Sequence, residues 1–329
     1  WLCRPPATPE GCNSVPMIEV FHSLDEVSAA RRGGAVAIGN FDGIHKGHVA
    51  VIQAAAAAAR SRGIALGVLT FEPHPRSVLG PQDAPPFRLS DWRGKARGLE
   101  ALGVDFLAIC QFNRDLASLA AEDFVRAALV NALSAKHVAV GEDFRFGNDR
   151  AGDTGLLVDI GSEYGFSVTS LPKMAGADGL AFSSSAIRKA LQAGDVNRAA
   201  ELIGRLWEVE GVVAHGDKRG RTIGFPTLNV ALGDLVRPAL GVYTVQIQFE
   251  GEDHWYGGVA NIGKRPTVDG ADERMEAHVF DFDQDVYGKR VRIRLVDFIR
   301  PEQKFEGLDA LKAQIAADAH SARTFLNRG

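Results

Sequence analysis

The sequence has few cysteines, no long apolar run and no strong excess of one charge. Its three cysteines, Cys3, Cys12 and Cys110, cannot form a disulfide framework, which is typical of a reducing cytoplasm. It has no run of about 18 apolar residues, so no transmembrane helix is predicted. The net charge of −4 argues against broad binding to nucleic acids or anionic membranes. We therefore expect a cytoplasmic protein with neither kind of partner.

The rest of the composition is typical of a globular protein. Its 329 residues suggest about two domains, and 46% apolar with 24% charged residues permits a sizeable core. The first 16 residues are rich in proline and lack periodicity. We expect either a disordered extension there or an artefact of start-site choice, with Met17 as the candidate start. The stretch also lacks the apolar centre of a signal peptide.

The segment GNFDGIHKGH, residues 39–48, follows an apolar run at 35–38 and precedes an alanine-rich run at 49–60. These patterns are typical of a buried parallel strand and a helix. Unpaired N–H groups at a helix start carry partial positive charge, so this turn is suited to phosphate. The alternatives are two solvated histidines or a metal pair. A metal would need a third ligand, and the segment offers only Asp42.

From residue 17 to about residue 194, predicted strands and helices alternate. The predicted strands are residues 35–38, 64–70, 104–110, 137–140 and 166–171. The predicted helices are residues 47–61, 91–102, 120–133 and 154–164. This alternation predicts an α/β domain, a parallel sheet with helices on both faces. Ligands of such sheets bind beyond the carboxyl ends of the strands.

Three motifs follow predicted strands and should therefore gather in one cleft: residues 39–48, FEPHP at 71–75 and GEDFRFG at 141–147. FEPHP alone is a weak signal, because its prolines mainly show that the chain leaves regular structure.

In GEDFRFG, a planar ring could stack between Phe144 and Phe146 while Arg145 or Asp143 contacts a polar edge. Two core phenylalanines in a hairpin are the alternative.

The segment FSSSAIRKAL, residues 182–191, places three serines before a predicted helix. An N-cap requires only one of them. Hydroxyls and a guanidinium at a helix start suit phosphate, although an ordinary capped helix is the alternative. The candidate residues are Ser183, Ser184, Ser185 and Arg188.

The pattern changes near residue 194. A connecting helix is predicted at residues 195–207, and alternating strands separated by glycine-rich turns follow it. These strands are residues 207–214, 243–249, 255–259, 276–281 and 291–298. They suggest a small antiparallel barrel, with a terminal helix at residues 308–326.

The loop at residues 216–224 contains three glycines and three cations, which can wrap a polyphosphate. It lacks the spacing of a P-loop. In FPTLN, which follows, Thr227 and Asn229 are two apart on a predicted extended segment and offer the oxygen ligands that Mg²⁺ prefers. A basic hairpin with an edge strand is the alternative. The loop candidates are Gly216, Lys218, Arg219, Gly220, Arg221 and Gly224.

The alternating stretch MEAHVFDFD, residues 275–283, places Glu276, His278 and Phe280 on the face opposite its apolar residues. On the inner face of a barrel the Glu276 carboxylate would be costly unless it were paired or functional, for example as a base in phosphoryl transfer. On the outer face it would be merely solvated. The pattern leaves both possibilities open.

Eight motifs in order resemble those of the bacterial bifunctional riboflavin kinase/FAD synthetase family. They are GNFDGIHKGH, FEPHP, GEDFRFG, FSSSAIR, HGDKRGRTIGFPTLN, NIGKRPT, MEAHVFDFD and FIRPEQKF. The resemblance covers residues 17–328. H-x-G-H alone is shared with many nucleotidyltransferases, but its combination with PTxN is highly specific. The resemblance implies a Rossmann-like FMN adenylyltransferase domain at residues 17–194 and a β-barrel riboflavin kinase domain at 195–329, with residues 195–206 as linker helix.

For the first domain, the resemblance implies that His45 and His48 stabilise the ATP phosphates while pyrophosphate leaves. Arg188 and the three serines would hold the pyrophosphate end. Ser185 stands where the family commonly has threonine, and because the hydroxyl survives we expect activity to be kept. Further ATP contacts are expected from Gly39, Phe41, Asp42 and Lys46. Flavin contacts are expected from Asp143, Phe144, Arg145 and Phe146.

For the second domain, the resemblance implies that Thr227 and Asn229 hold Mg-ATP and that the loop at residues 216–224 closes over ATP. Glu276 would be the general base for the ribityl 5′-hydroxyl. Arg300, with residues 241–243 and 261–267, matches family positions near the flavin.

The expected function is synthesis of FMN and then FAD from riboflavin and ATP, with Mg²⁺ as cofactor and with FMN and FAD as substrate and products. Three alternatives are weighed against it. They are a chain with one active domain, a class I aminoacyl-tRNA synthetase, and a non-catalytic flavin-binding regulator. The synthetase would need a KMSKS-like loop and an RNA-binding domain, and neither is visible in the sequence. Glu276 and the two histidines argue against the regulator. The oligomeric state is left open.

Overall fold

The computed structural model describes residues 18–176, 179–214, 225–267 and 270–327, and only the backbone of residues 264–267 and 270–272. These residues form a six-stranded parallel sheet followed by a six-stranded antiparallel sheet. The expected extension at residues 1–16, Met17 and the loop at residues 216–224 lie outside the described residues. Among the described helices, none combines the length and apolar character needed to cross a membrane.

The parallel sheet has the strand order β1-β4-β3-β2-β5-β6. Its strands are β1 Glu19–Phe21, β2 Ala35–Ile38, β3 Leu66–Glu72, β4 Phe106–Gln111, β5 His137–Gly141 and β6 Ser167–Leu171. The central strands are continuous apolar runs because helices cover both faces of the sheet. The five predicted strands are confirmed to within two residues at each end. The three-residue strand β1 was not predicted, because it is too short to show a period.

Helices connect these strands, and one more helix follows the last strand. They are α1 Lys46–Arg62, α2 Pro75–Leu79, α3 Trp92–Glu100, α4 Arg114–Ser118, α5 Ala121–Val125, α6 Thr154–Tyr164 and α7 Ser184–Gln192. The helix α5 continues into π-helical turns at Arg126–Ala132, so the predicted helix at residues 120–133 is confirmed with altered geometry. The helices α2 and α4 were missed, because five residues are too few to show a helical period.

The strand order places a binding crevice beside β2. From β2 the chain continues to β3 and β4 on one side, whereas β5 and β6 pair on the other side. Ligands of open α/β sheets bind at such a reversal, beyond the carboxyl ends of the strands. The predicted phosphate turn follows β2 and the GEDFRFG motif follows β5, so both lie at this crevice.

The second sheet is a nearly closed antiparallel barrel with the order β7-β12-β9-β10-β11-β8. Its strands are β7 Glu208–Val212, β8 Leu228–Ala231, β9 Gly241–Phe249, β10 Tyr256–Thr267, β11 Gly270–Val279 and β12 Arg290–Pro301. The amide of Ala214 donates to the carbonyl of Asn229 at 2.9 Å and joins the two ends of the sheet. Helix α8 Val196–Ile203 precedes the barrel and α9 Leu308–Leu326 follows it. The predicted barrel is therefore confirmed.

The core of the barrel extends beyond its own strands. Ile187 and Leu191 of α7, and Leu89 from the loop before α3, belong to the same buried apolar cluster as the inward residues of the barrel. The last helix of the first domain thus packs on the core of the second.

Helix α9 covers part of the outside of the barrel. Its Ala322 packs against Val242, Val259 and Phe280. Arg300 donates from Nε and Nη2 to the Asp318 carboxylate of α9, with distances of 2.7–3.1 Å. The guanidinium therefore anchors this helix, and its flavin contact stays a prediction.

We expect Asp318→Ala to destabilise the second domain, because it leaves the Arg300 guanidinium without the carboxylate that pairs with it. Asp318 is only 4% exposed, and breaking a buried ion pair from one side costs about 3 kcal/mol. Urea unfolding followed by circular dichroism measures the loss. Asp309→Ala, in the exposed first turn of the same helix, should cost less than about 1 kcal/mol. Equal losses in the two variants would contradict the anchoring role.

Candidate active sites

A cleft of about 1040 Å³ opens at the carboxyl edge of the parallel sheet. All four first-domain motifs contribute to its walls, so the predicted convergence on one cleft is confirmed. The predicted site residues that line it are Gly39, Phe41, Asp42, His45, His48, Asp143, Phe144, Arg145, Phe146, Ser183, Ser184 and Arg188. The exposed residues Lys46 and Ser185 are not among them, and their phosphate contacts stay predictions.

The two predicted catalytic histidines stack at the start of α1. Their rings are 3.6 Å apart at 20°, and the Phe41 ring meets His48 edge-on. His45 is the N-cap of α1, because its Nδ1 accepts from the amide of His48 at 3.3 Å. The Nδ1 of His48 is buried and has no hydrogen-bond partner. A buried nitrogen without a partner is costly unless a ligand supplies one.

Both imidazoles are held in the neutral form. Burial lowers the pKa of His45 to about 4, against a smaller opposing effect of the Asp42 carboxylate. Burial also lowers the pKa of His48 well below its usual range, with smaller contributions from the neighbouring His45 and Lys95. A neutral imidazole still has one N–H donor, so both rings can donate to phosphate oxygens without carrying full charges.

Asp42 connects the phosphate turn to two distant segments. Its carboxylate is 2% exposed and accepts from the amides of Leu89 at 2.8 Å and Ser90 at 3.2 Å and from the Arg188 guanidinium. The hydroxyl of Ser184 donates to the Asp42 carbonyl at 2.9 Å. Asp42 thus orients Arg188 and the turn, whereas a direct phosphate contact of its carboxylate stays a prediction.

The backbone of the turn is strained. Phe41 and Ile44 have φ of 46° and 43°, in the left-handed region that side chains disfavour. Each such residue costs about 1–3 kcal/mol and persists only where its surroundings hold it.

The FEPHP motif contributes to both the structure and the cleft. Glu72 accepts two hydrogen bonds from Arg88, at 2.6 and 2.9 Å, and one from Lys95 at 3.0 Å. Lys95 is 1% exposed, and burial lowers its pKa although Glu72 opposes this. His74 instead lines the cleft, where it caps α2 through the amide of Arg76. Within this motif Glu72 thus has a structural role, whereas His74 belongs to the wall of the cleft.

The predicted insertion of a ring between Phe144 and Phe146 is wrong. The two rings already stack on each other at 5.4 Å and 24°, so no space for a third ring lies between them. Phe146 is 6% exposed and also contacts Phe124 of the core. Only an outward face could receive a flavin. Asp143 pairs with Lys173 at 3.2 Å, and Arg145 donates to the Phe144 carbonyl at 2.9 Å.

The cleft is more cationic than the chain as a whole. Six cationic and three acidic side chains line it, whereas the whole chain has a net charge of −4. An excess of positive charge in a concave site attracts polyphosphates. The cations are Arg76, Arg114, Arg145, Arg150, Lys173 and Arg188. Four of them were missed, because they lie in loops and short helices without a recognisable motif: Arg76, Arg114, Arg150 and Lys173.

The second candidate site lies on the outside of the barrel. Glu276 is exposed, while its neighbours Met275 and Ala277 are fully buried in the barrel core. The alternating pattern did not show whether Glu276 faces the inside or the outside of the barrel, and the structure places it on the outside. Because the Glu276 carboxylate is exposed, burial gives no argument that it is functional. The argument for a function has to come from the residues next to it.

Those neighbours are the predicted metal ligand and a further amide. Glu276 pairs directly with Asn229 of β8 on one side and with Asn261 of β10 on the other. Directly opposed residues in antiparallel strands have Cβ atoms about 4.5–5.5 Å apart. The three polar side chains therefore form one row across the sheet.

The row offers oxygen to a hard cation. Asn229 is 5% exposed, and its Oδ1 has no hydrogen-bond partner. Together with the half-buried Thr227, this unpaired amide oxygen offers only a few protein ligands to a metal. Mg²⁺ fits such a site, because it usually keeps several waters and binds nucleotide phosphates. In the part of the chain that the structure describes, no cluster of three His, Cys, Asp or Glu could hold a metal alone.

His278 orients the segment that carries Thr227. Its Nδ1 lies 2.9 Å from the carbonyl of Pro226, and its ring meets Phe225 edge-on. The strand that carries Glu276 thus also holds FPTLN.

Together these features define a transferase with two phosphate-handling sites on two different folds. Comparisons with known proteins agree with it. Residues 27–186 match the family model of FAD synthetase and residues 203–326 match that of riboflavin kinase. A bifunctional riboflavin kinase/FMN adenylyltransferase from Escherichia coli is 43% identical over 94% of this chain and 97% of its own length. One of the same name from Bacillus subtilis is 38% identical over 94% and 98%.

A solved structure from Streptococcus pneumoniae, described as a macrolide-efflux protein, has a TM-score of 0.80 and 33% identity over 93% of this chain and 99% of its own. The chain belongs to the family of bifunctional riboflavin kinases/FMN adenylyltransferases. The resemblance predicted from the eight motifs is confirmed.

In the ligand-free protein, the His45 ring should stay neutral down to about pH 4, because burial lowers its pKa to about 4. Below about pH 6.5 the unfolded chain binds a proton that the native ring refuses. The native state therefore loses stability as the pH falls from about 6.5 to about 4. Histidine NMR titration measures the pKa, and His45→Gln should make this part of the stability profile less steep, with the remaining slope coming from His48. A measured pKa of 6 or more would contradict the burial argument.

Proposed function

We propose that the first domain adenylylates FMN to FAD and that the second phosphorylates riboflavin to FMN, each with ATP. The observation that carries the proposal is that two separate sites each hold a buried polar atom without a partner, His48 Nδ1 and Asn229 Oδ1. Both atoms lie where the family motifs predict phosphate and Mg-ATP. Division of the chain near residue 194 and a cytoplasmic location belong to the same proposal.

In the first domain, an oxygen of the FMN phosphate attacks the α-phosphorus of ATP. The new P–O bond forms as the bond from the α-phosphorus to the bridging oxygen breaks, and pyrophosphate leaves. Negative charge develops on the oxygens around the α-phosphorus and on the leaving group. The neutral imidazoles of His45 and His48 and the unpaired amides of α1 donate to these oxygens. Arg188, with Ser183 and Ser184 at the start of α7, holds the departing pyrophosphate.

In the second domain, the Glu276 carboxylate takes the proton of the ribityl 5′-hydroxyl as that oxygen attacks the γ-phosphorus of ATP. ADP leaves with the electrons of the broken bond. Solvent exposure keeps the carboxylate accessible to a substrate that enters from outside the barrel. Thr227 and Asn229 would hold Mg²⁺, which neutralises the charge of the transferred phosphoryl group.

We expect Glu276→Gln to stop FMN formation, because the amide cannot accept the hydroxyl proton, and to leave conversion of FMN to FAD intact. Loss of a general base costs about 10²–10⁴-fold in rate. The flavins are separated chromatographically after incubation with riboflavin, Mg²⁺ and ATP, or with FMN and ATP. Glu250→Gln, in an exposed turn of the same barrel, should change neither rate. Loss of both activities in Glu276→Gln would refute the two-site assignment.

The converse variant, His48→Ala, should let FMN accumulate from riboflavin. Removing one donor that stabilises the transition state costs about 10²–10³-fold, and the kinase rate of the same chain reports that the protein is folded. His320→Ala, on the exposed surface of α9, is the matched control. Normal FAD production by His48→Ala would exclude the role given to this ring.

A further inference from the structure

The strained phosphate turn is held from several sides. Within the first domain, Thr70 Oγ1 donates to the carbonyl of Asn40 at 3.1 Å, and Ser184 donates to the carbonyl of Asp42. The next two carbonyls of the turn, those of Gly43 and Ile44, accept from Arg205 at 3.1 and 3.2 Å. One guanidinium thus bridges two successive carbonyls directly before His45.

Arg205 does not belong to the first domain. It lies between α8 and β7, within the residues that match the riboflavin kinase model and beyond those that match the FAD synthetase model. The residue is exposed although its guanidinium is in contact with the turn. Among the described residues, Arg205 forms no hydrogen bond or ion pair with the row of Asn229, Glu276 and Asn261 on the outside of the barrel.

Trp207, two residues after Arg205, also supports the turn, through Leu89. The indole N–H of Trp207 donates to the carbonyl of Leu89 at 2.8 Å, and Trp207 is 3% exposed. The amide of Leu89 in turn donates to the Asp42 carboxylate. Leu89 also packs against the turn itself, because a Cβ at Gly43 would lie 2.8 Å from its Cδ1. The segment from Arg205 to Trp207 therefore contacts the turn both directly and through Leu89.

We propose that Arg205, although it lies in the riboflavin kinase part of the chain, is a positioning residue for adenylyl transfer. It holds the carbonyls of Gly43 and Ile44 so that the His45 ring and the first amides of α1 face the ATP phosphates. The inference rests on the proposed adenylyltransferase activity of the first domain. The two hydrogen bonds require the planar, forked guanidinium, which a lysine ammonium does not reproduce.

The test measures both activities of the same full-length chain. We expect Arg205→Ala to lower the rate of FMN-to-FAD conversion about tenfold, as loss of two ordinary hydrogen bonds would. The riboflavin kinase rate should stay within about twofold, because in the described part of the chain Arg205 makes no hydrogen bond or ion pair with Glu276 or Asn229. Arg205→Lys should recover little, since it keeps the charge but not the bridge. Arg126→Ala is the matched control, because the exposed Arg126 pairs with Asp123 at the surface and its loss should leave both rates unchanged.

Chemical rescue separates positioning from general stability. Methylguanidine at low millimolar concentration should restore FAD formation by Arg205→Ala, and methylamine should not. Unchanged FAD formation in Arg205→Ala would overturn the inference while the adenylyltransferase stands. A parallel fall of both rates, or failure of methylguanidine to rescue, would also overturn it. Absence of FAD formation by the unsubstituted protein would instead refute the proposed function itself.

Discussion

The buried carboxylate of Asp42 is the interaction on which the first site depends. It lies between the strained turn after β2, the segment before α3 and the start of α7, and it accepts hydrogen bonds from the last two. A buried carboxylate without these donors would be strongly destabilising. Pairing the charge therefore requires all three segments to meet. Their meeting places the Arg188 guanidinium and the α1 and α7 helix starts around one cleft.

The two domains are physically continuous although they belong to two family models. The apolar face of α7 packs on the barrel core, while the start of the same helix lines the cleft of the parallel sheet. Arg205 and Trp207 extend this continuity to the phosphate turn. Because apolar burial is the main driving force of folding, the position of α7 depends on the barrel as much as on the parallel sheet. A site in one domain can thus depend on residues of the other without sharing any substrate-binding surface with it.

The candidate kinase site depends on the register of β11. Alternation along β11 sends Met275 and Ala277 into the core and Glu276 outward. A shift of one residue in pairing would reverse this and bury the carboxylate. The same register sets Glu276 between Asn229 and Asn261. The C-terminal helix covers the neighbouring Val242 and leaves Glu276 exposed.

The sequence alone determined the α/β sheet, the barrel and the strands that precede each motif, because long apolar runs and alternation report burial directly. Its motifs also identified the family. Only the tertiary structure decided that Phe144 and Phe146 stack on each other, that Glu276 faces outward and that Arg300 anchors α9. It alone brought Arg76, Arg114, Arg150 and Lys173 to the cleft and Arg205 to the turn. These are contacts between residues far apart in the chain, and no local period encodes them.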